Sequence, residues 1–166
     1  MSMIVNRRDL DFVLYETLDL ERILESDRYA DHDRGSLDAM MDLCQTIAED
    51  QFLPCAAKLD ANEPQFVDGK VETISELKEA IGAYQEAGLC ASAYDLDVGG
   101  MQLPWMMDQA LNGMFVCANN PAHIYLFLTQ GVANMLNACG SDELKRKYLP
   151  NLVDGNWFGT MCLSEP

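Results

Sequence analysis

Apolar residues recur at three- and four-residue steps along most of the chain, which is the spacing of a helix face. Leu37, Met40, Met41, Cys44, Ile47, Ala48 and Cys55 make one such stripe, with Asp38, Asp42, Glu49 and Asp50 on the other side. Ser36 stands where an N-cap belongs. Pro54 lacks an amide hydrogen and crowds the preceding turn, so it should kink this helix or end its regular part. The stretch 60–71, with Pro64 and Gly69, reads as a loop. Thr73-Ile74-Ser75-Glu76 has the form of a capping box. Ile74, Leu77, Ile81 and Tyr84 continue it as a stripe that Gly88 should stop.

A second loop, 94–103, holds Asp97-Val98-Gly99-Gly100. Pro104 sits at a first helical position, and its helix runs to about Ala118. Pro121 opens the most apolar helix, with Ile124, Phe127, Leu128, Val132, Met135 and Leu136 before Gly140. Apolar over much of its circumference, it should be central. Ser141 caps a last helix in which Asp142 and Glu143 precede Lys145, Arg146 and Lys147, the order the helix dipole favours. Ahead of these, 9–18 and 20–25 read as two short helical pieces of muddled periodicity, leading into a polar linker at 27–35. After the turn at Asp154-Gly155 the residues become aromatic and β-compatible. The pattern predicts an all-α protein: an amino-terminal helical arm (1–35), a helical bundle (36–155) and the first strand of a truncated β-domain (156–166).

Composition narrows the function classes. The 166 residues are 49% hydrophobic, enough for a buried core. No apolar run exceeds five residues, far short of the roughly 20 that span a bilayer. The start carries Arg7 and Arg8 before an acidic stretch and has neither an apolar core nor a small-residue cleavage site, so a cytoplasmic location is expected. Of the net charge of −16, residues 36–100 hold thirteen acids against three bases, while 101–166 hold five against three. So acidic a surface repels phosphate backbones and argues against nucleic acid. The six cysteines, at 44, 55, 90, 117, 139 and 162, contain no Cys-x-x-Cys and read as reduced core thiols.

Tests for common chemistries come back empty. The two histidines, His32 and His123, follow Tyr29 and Asn120 at three residues' distance, so no Glu-x-x-His di-iron pair exists. No recognised zinc spacing, phosphate-binding Gly-x-Gly-x-x-Gly or Gly-x-Ser-x-Gly elbow occurs, and no metal is expected. His123, on an apolar helix, reads as a satisfied core or pocket residue.

Three stretches in order carry a resemblance. Glu86-Ala87-Gly88-Leu89 with Asp97-Val98-Gly99-Gly100-Met101-Gln102-Leu103-Pro104 resembles the helix end and Gly-Gly-x-x-x-Pro loop of acyl-CoA dehydrogenases. Residues 140–150, from Gly140 through Lys145, Tyr148, Leu149 and Pro150, resemble that family's Gly-x-x-x-x-Lys-x-x-Tyr-Leu-Pro segment. Residues 154–166, ending Cys162-Leu163-Ser164-Glu165-Pro166, are similar to the strand entering its flavin signature. The amino-terminal segment around 11–16 resembles the larger bacterial branch, which includes fatty-acyl-CoA and methylthiopropanoyl-CoA dehydrogenases.

The resemblance implies FAD-dependent α,β-dehydrogenation of an acyl-CoA to its enoyl-CoA, as in fatty acid β-oxidation. Electron-transfer flavoprotein would be the electron acceptor and a homo-oligomer the assembly. It implies that Met161 and Leu163 contact the flavin ring, that Ser164 hydrogen-bonds it, and that Phe127 and Gly131 line the acyl pocket. No catalytic residue falls in this chain: the family's base glutamate and pyrophosphate turn find no match, so the fragment is expected to be inactive alone. Apolar surface left uncovered should make it self-associate. The competing reading is a non-catalytic helical scaffold derived from the same fold, which would have no need of a flavin-facing strand.

Overall fold

The computed structural model describes residues 2–162. Seven helices and one small hairpin follow one another as α1 (Arg7–Asp11), α2 (Leu20–Leu24), α3 (Arg34–Ile47), α4 (Ala56–Ala61), β1 (Gln65–Val67), β2 (Lys70–Glu72), α5 (Ser75–Glu86), α6 (Trp105–Cys139) and α7 (Asp142–Val153). The helical reading of the chain is therefore correct. Two π-helical turns, Phe12–Thr17 and Ala48–Phe52, extend α1 and α3. In them Leu18 and Leu53 donate to the carbonyls of Val13 and Ala48, five residues back. The second lies just ahead of Pro54, where regular helix was expected to end.

The core is built on α3, α5 and α6. Leu37, Met41, Cys44, Phe52, Leu77, Tyr84, Met107, Met114 and Phe115 are buried together, joined by Leu14 and Leu20 from the amino-terminal segment. Phe115 meets Phe52 and Tyr84 edge-on, each at 4.9 Å between ring centroids, the offset geometry that aromatic quadrupoles favour. The amino-terminal segment is tied down by polar contacts as well. Arg7 pairs with Asp42 at 2.6 Å, Tyr15 donates to Asp38 at 2.8 Å, and Arg28 pairs with Asp95.

Several local expectations need correction. α3 is capped by Asp33, whose carboxylate accepts the Ser36 amide at 2.7 Å while the Ser36 hydroxyl accepts the Asp33 amide at 3.0 Å. Ser36 is the inner member of that box, not its cap. The box at 73–76 does not form. α5 starts at Ser75 behind Ile74, because the Glu76 carboxylate is taken by Lys58 and the Ser75 hydroxyl. The stretch 60–71 is not all loop: α4 reaches Ala61, and β1 pairs antiparallel with β2 in the register Phe66↔Val71. Asp68 and Gly69 turn it with φ of 48° and 79°, the left-handed pair that a two-residue hairpin demands.

The Gly-Gly loop folds onto itself. The amides of Met101, Gln102 and Leu103 donate to the carbonyls of Ala91, Tyr94 and Ser92. A Cβ on Gly100 would lie 2.0 Å from the Tyr94 oxygen, so only glycine permits that approach. Pro104 precedes the first helical residue of α6 instead of being it.

α6 is two helices set end to end. Asn119, at φ −162° and ψ 85°, interrupts it, so the two helices expected around Pro104 and Pro121 are both present. The Asn119 Oδ1 accepts the Ala122 amide at 3.1 Å, capping the second half, and its Nδ2 donates to the Phe52 carbonyl at 3.0 Å. Ser141 caps α7 as expected, by accepting the Leu144 amide.

Candidate functional site

The second half of α6, 120–139, has three distinct faces. Ala122, His123, Leu126, Thr129 and Ala133 point into the protein. Ile124, Phe127 and Met135 are exposed, as is Gly131, where an added Cβ would meet open space. Tyr125 and Val132 form the third face, about 100° around the helix from the exposed stripe at 3.6 residues per turn, with Thr129 at its border with the inward face.

Within residues 156–162, Phe158 and Gly159 lie on that third face. Phe158 meets the Tyr125 ring edge-on at 6.4 Å, and the Gly159 amide donates to the Thr129 hydroxyl at 3.0 Å. Trp157 rests against Tyr148 of α7, its amide donating to the Asn151 carbonyl at 3.0 Å. Gln85 of α5 donates to the carbonyl of Gly155. Among the described residues this segment pairs with no strand. The amides of Trp157 and Gly159 go to helix groups. Met161 stands 63% exposed and Phe127 55% exposed. Phe127, Gly131 and Met161 therefore all lie at the surface, on a wall and on the segment that flanks it. Leu163 and Ser164 fall outside the described residues.

The stripe carries no charge, since no Asp, Glu, Lys or Arg occurs between Gln109 and Ser141. Thiols are unreactive where they are buried. Burial pushes Cys44 up to about 12 and Cys90 up to about 11, so neither is a thiolate at neutral pH. Cys117, Cys139 and Cys162 are exposed, against the expectation of core thiols throughout.

Behind the stripe is a polar cluster that sequence reasoning missed apart from His123. The Asp108 carboxylate accepts from Ser92, from Gln109 at 3.0 Å and from Asn112 at 3.1 Å. Asn112 in turn accepts from the Tyr84 hydroxyl at 3.1 Å and faces His123 Nε2 at 2.9 Å. Because the Asn112 amide nitrogen donates to Asp108, its oxygen must accept, and His123 carries its proton on Nε2. Burial pulls the His123 value down from 6.5 to about 4, so the ring is neutral. Burial raises the Asp108 carboxyl, with hydrogen bonds from Ser92, Gln109, Asn112 and Gln130 acting against it. All of its contacts are inward, which makes Asp108 structural and leaves the exposed wall without an acid or base.

The geometry is thus an uncharged apolar wall beside an apolar segment, held by a closed polar core. Residues 36–156 match the profile of the acyl-CoA dehydrogenase amino-terminal domain. The chain belongs to the acyl-CoA dehydrogenase family. Among its relatives is a butyryl-CoA dehydrogenase of Syntrophomonas wolfei, 30% identical over 165 residues, covering 96% of this chain and 27% of that protein. A 3-methylmercaptopropionyl-CoA dehydrogenase of Ruegeria pomeroyi is 24% identical over 159 residues, with 96% and 27% coverage. A broad-specificity linear acyl-CoA dehydrogenase of Mycobacterium tuberculosis is 29% identical over 164 residues, with 97% and 26%. The chain spans about a quarter of the length of these curated relatives. Among the described residues no helix is long and apolar enough to cross a membrane, and no cluster of three potential metal ligands occurs.

Proposed function

We infer that this chain supplies the amino-terminal helical wall of an FAD-dependent acyl-CoA dehydrogenase that oxidises an acyl-CoA thioester to its enoyl-CoA. The observation that carries the reading is the charge-free exposed stripe of α6, flanked by residues 156–162, within a family-matched domain. An acyl chain needs an apolar wall without charge, since an unpaired charge beside it would have to be desolvated. Phe127 narrows that wall and Gly131 leaves room beside it, an arrangement suited to a short or bent acyl group.

The residues present fit the flavin ring and not its phosphates. Phe158 and Met161 offer exposed apolar surface beside the wall, whereas α6 offers no cation between Gln109 and Ser141. Met161, with Leu163 and Ser164 beyond it, is the proposed ring contact. When bound, the flavin accepts the hydride that leaves the β carbon. This chain's residues position and exclude water; they do not take the α proton, because the wall has no carboxylate and Asp108 is committed inward. The base, the electron-transfer flavoprotein contact and a homo-oligomeric assembly belong to the whole enzyme, placed in the cytoplasm.

The test compares this chain with the polypeptide encoded by its complete gene. After incubation with FAD and desalting, the complete polypeptide should keep the visible flavin band and lose it on addition of butyryl-CoA. The 166-residue chain should keep little or none. A flavin-free complete polypeptide would remove the dehydrogenase reading, and a flavin-retaining short chain would remove the claim that it lacks a sufficient site.

A further inference from the structure

We propose that Thr129 and Gly159 form a latch that sets how residues 156–162 lie against α6, making Thr129 a positioning residue for Met161. The inference rests on the reading of that segment as the approach to the flavin ring.

Thr129 is buried on the face between the core and the exposed stripe. Its hydroxyl donates to the Tyr125 carbonyl at 2.6 Å, which uses its one proton. The oxygen's lone pairs are then free to accept, and the Gly159 amide donates to it at 3.0 Å. Donor and acceptor roles are therefore fixed, and no rotation of the hydroxyl satisfies Tyr125 and Gly159 the other way round. With no strand partner among the described residues, this bond and that of Trp157 to Asn151 are the backbone anchors of the segment.

Gly159 is the second half of the device. A Cβ added there would lie 2.7 Å from Val132 Cγ2, 2.8 Å from Val132 Cβ and 3.3 Å from Thr129 Cα. The β-branched Val132 has little rotamer freedom in a helix, so it cannot swing aside. Any larger residue would lift the segment from the helix, lengthen the bond to Thr129 and move Met161, two residues on. The latch thus couples α6, whose adjacent face carries Phe127 and Gly131, to the placement of Met161.

Three substitutions test it: Thr129→Val removes the acceptor at nearly constant shape, Thr129→Ser keeps it, and Gly159→Ala inserts the clash. In this chain, amide hydrogen exchange at Gly159 should quicken about ten-fold in T129V, the loss of one neutral hydrogen bond, and stay near the parent rate in T129S. Cleavage by chymotrypsin after Trp157 or Phe158 should quicken in G159A. In the polypeptide from the complete gene, T129V and G159A should bind FAD about three- to ten-fold more weakly, with T129S close to the parent. Equal Gly159 exchange in parent and T129V would overturn the latch. Faster exchange with unchanged FAD affinity and unchanged visible spectrum would overturn its positioning role. A parent polypeptide that binds no flavin would instead remove the functional reading, with the exchange measurements still deciding whether the latch exists. G159A adds a methyl outside the core, so it tests the same contact should T129V fail to fold.

Discussion

The two halves of α6 are made of similar residues and do different work. Residues 105–118 put Asp108 and Asn112 into the core, where polar groups on α5 and on the loop before α6 satisfy them. Residues 120–139 send His123 and Gln130 back to the same cluster and turn Ile124, Phe127 and Met135 outward. Polar groups inside and apolar groups outside invert the usual arrangement. The inversion is stable on the inside because the buried groups are hydrogen-bonded. On the outside it leaves a surface suited to an apolar ligand or a covering domain. The joint between the halves, Asn119, allows the change of direction.

The largest expected effect comes from breaking the inner side. Asn112→Leu leaves Asp108, Tyr84 and His123 short of partners in a buried site and should cost about 3–4 kcal/mol in urea unfolding. A loss under about 1 kcal/mol would show that the cluster is wet and dispensable.

Acid should do the next most. His123 has a folded value of about 4 against 6.5 unfolded, so the unfolded chain binds the proton first. Stability is present above 6.5 and declines as pH falls toward 4, by about 2 kcal/mol at pH 5. Asp108 contributes the opposite sign, since its raised carboxyl favours the fold below the ordinary carboxylate range and loses that as pH rises through the raised value. The difference between the parent and His123→Gln isolates the histidine part. An equally steep decline in both chains would refute its assignment.

At the joint, Asn119→Ala removes the cap on 120–139 and the bond to the Phe52 carbonyl, an expected loss of about 1–2 kcal/mol. Thermal denaturation of the variant reads it directly.

The outer side should respond least. Phe127→Ser is expected to change stability by no more than about 0.5 kcal/mol. It should, however, lower the self-association expected of the exposed stripe, as measured by light scattering against concentration. A marked destabilisation would mean that Phe127 is core. An unchanged association constant would mean that the stripe is not what brings copies together.

Helix existence was legible wherever a stripe and its stop signals agreed, as at Ile74 to Gly88 and at Ser141 to Val153. Cap positions were less so, because Asp33 and Ser36, or Thr73 and Glu76, satisfy the same local pattern. A distant partner decides between them, here Lys58 drawing off Glu76. The hairpin carried a readable signal in Asp68-Gly69, which the neighbouring Pro64 concealed. Asp108 and Asn112 carried little. Their partners Ser92 and Tyr84 lie 16 and 28 residues away, and no periodicity links them. Phe127 and Gly131 were named through a resemblance; their exposure was not readable from the pattern.

By itself the sequence determined the helical character, the break near Asn119 and Pro121, and the family motifs, because these depend on neighbours within a turn or on residue order. Only the tertiary structure decided which side of 120–139 meets the core, where 156–162 lies, and which polar residues are buried. A helix apolar all round has no moment to choose an inner face. Its orientation is set by what packs against it, and here α5, α7 and the buried Asp108–Asn112–His123 cluster make that choice.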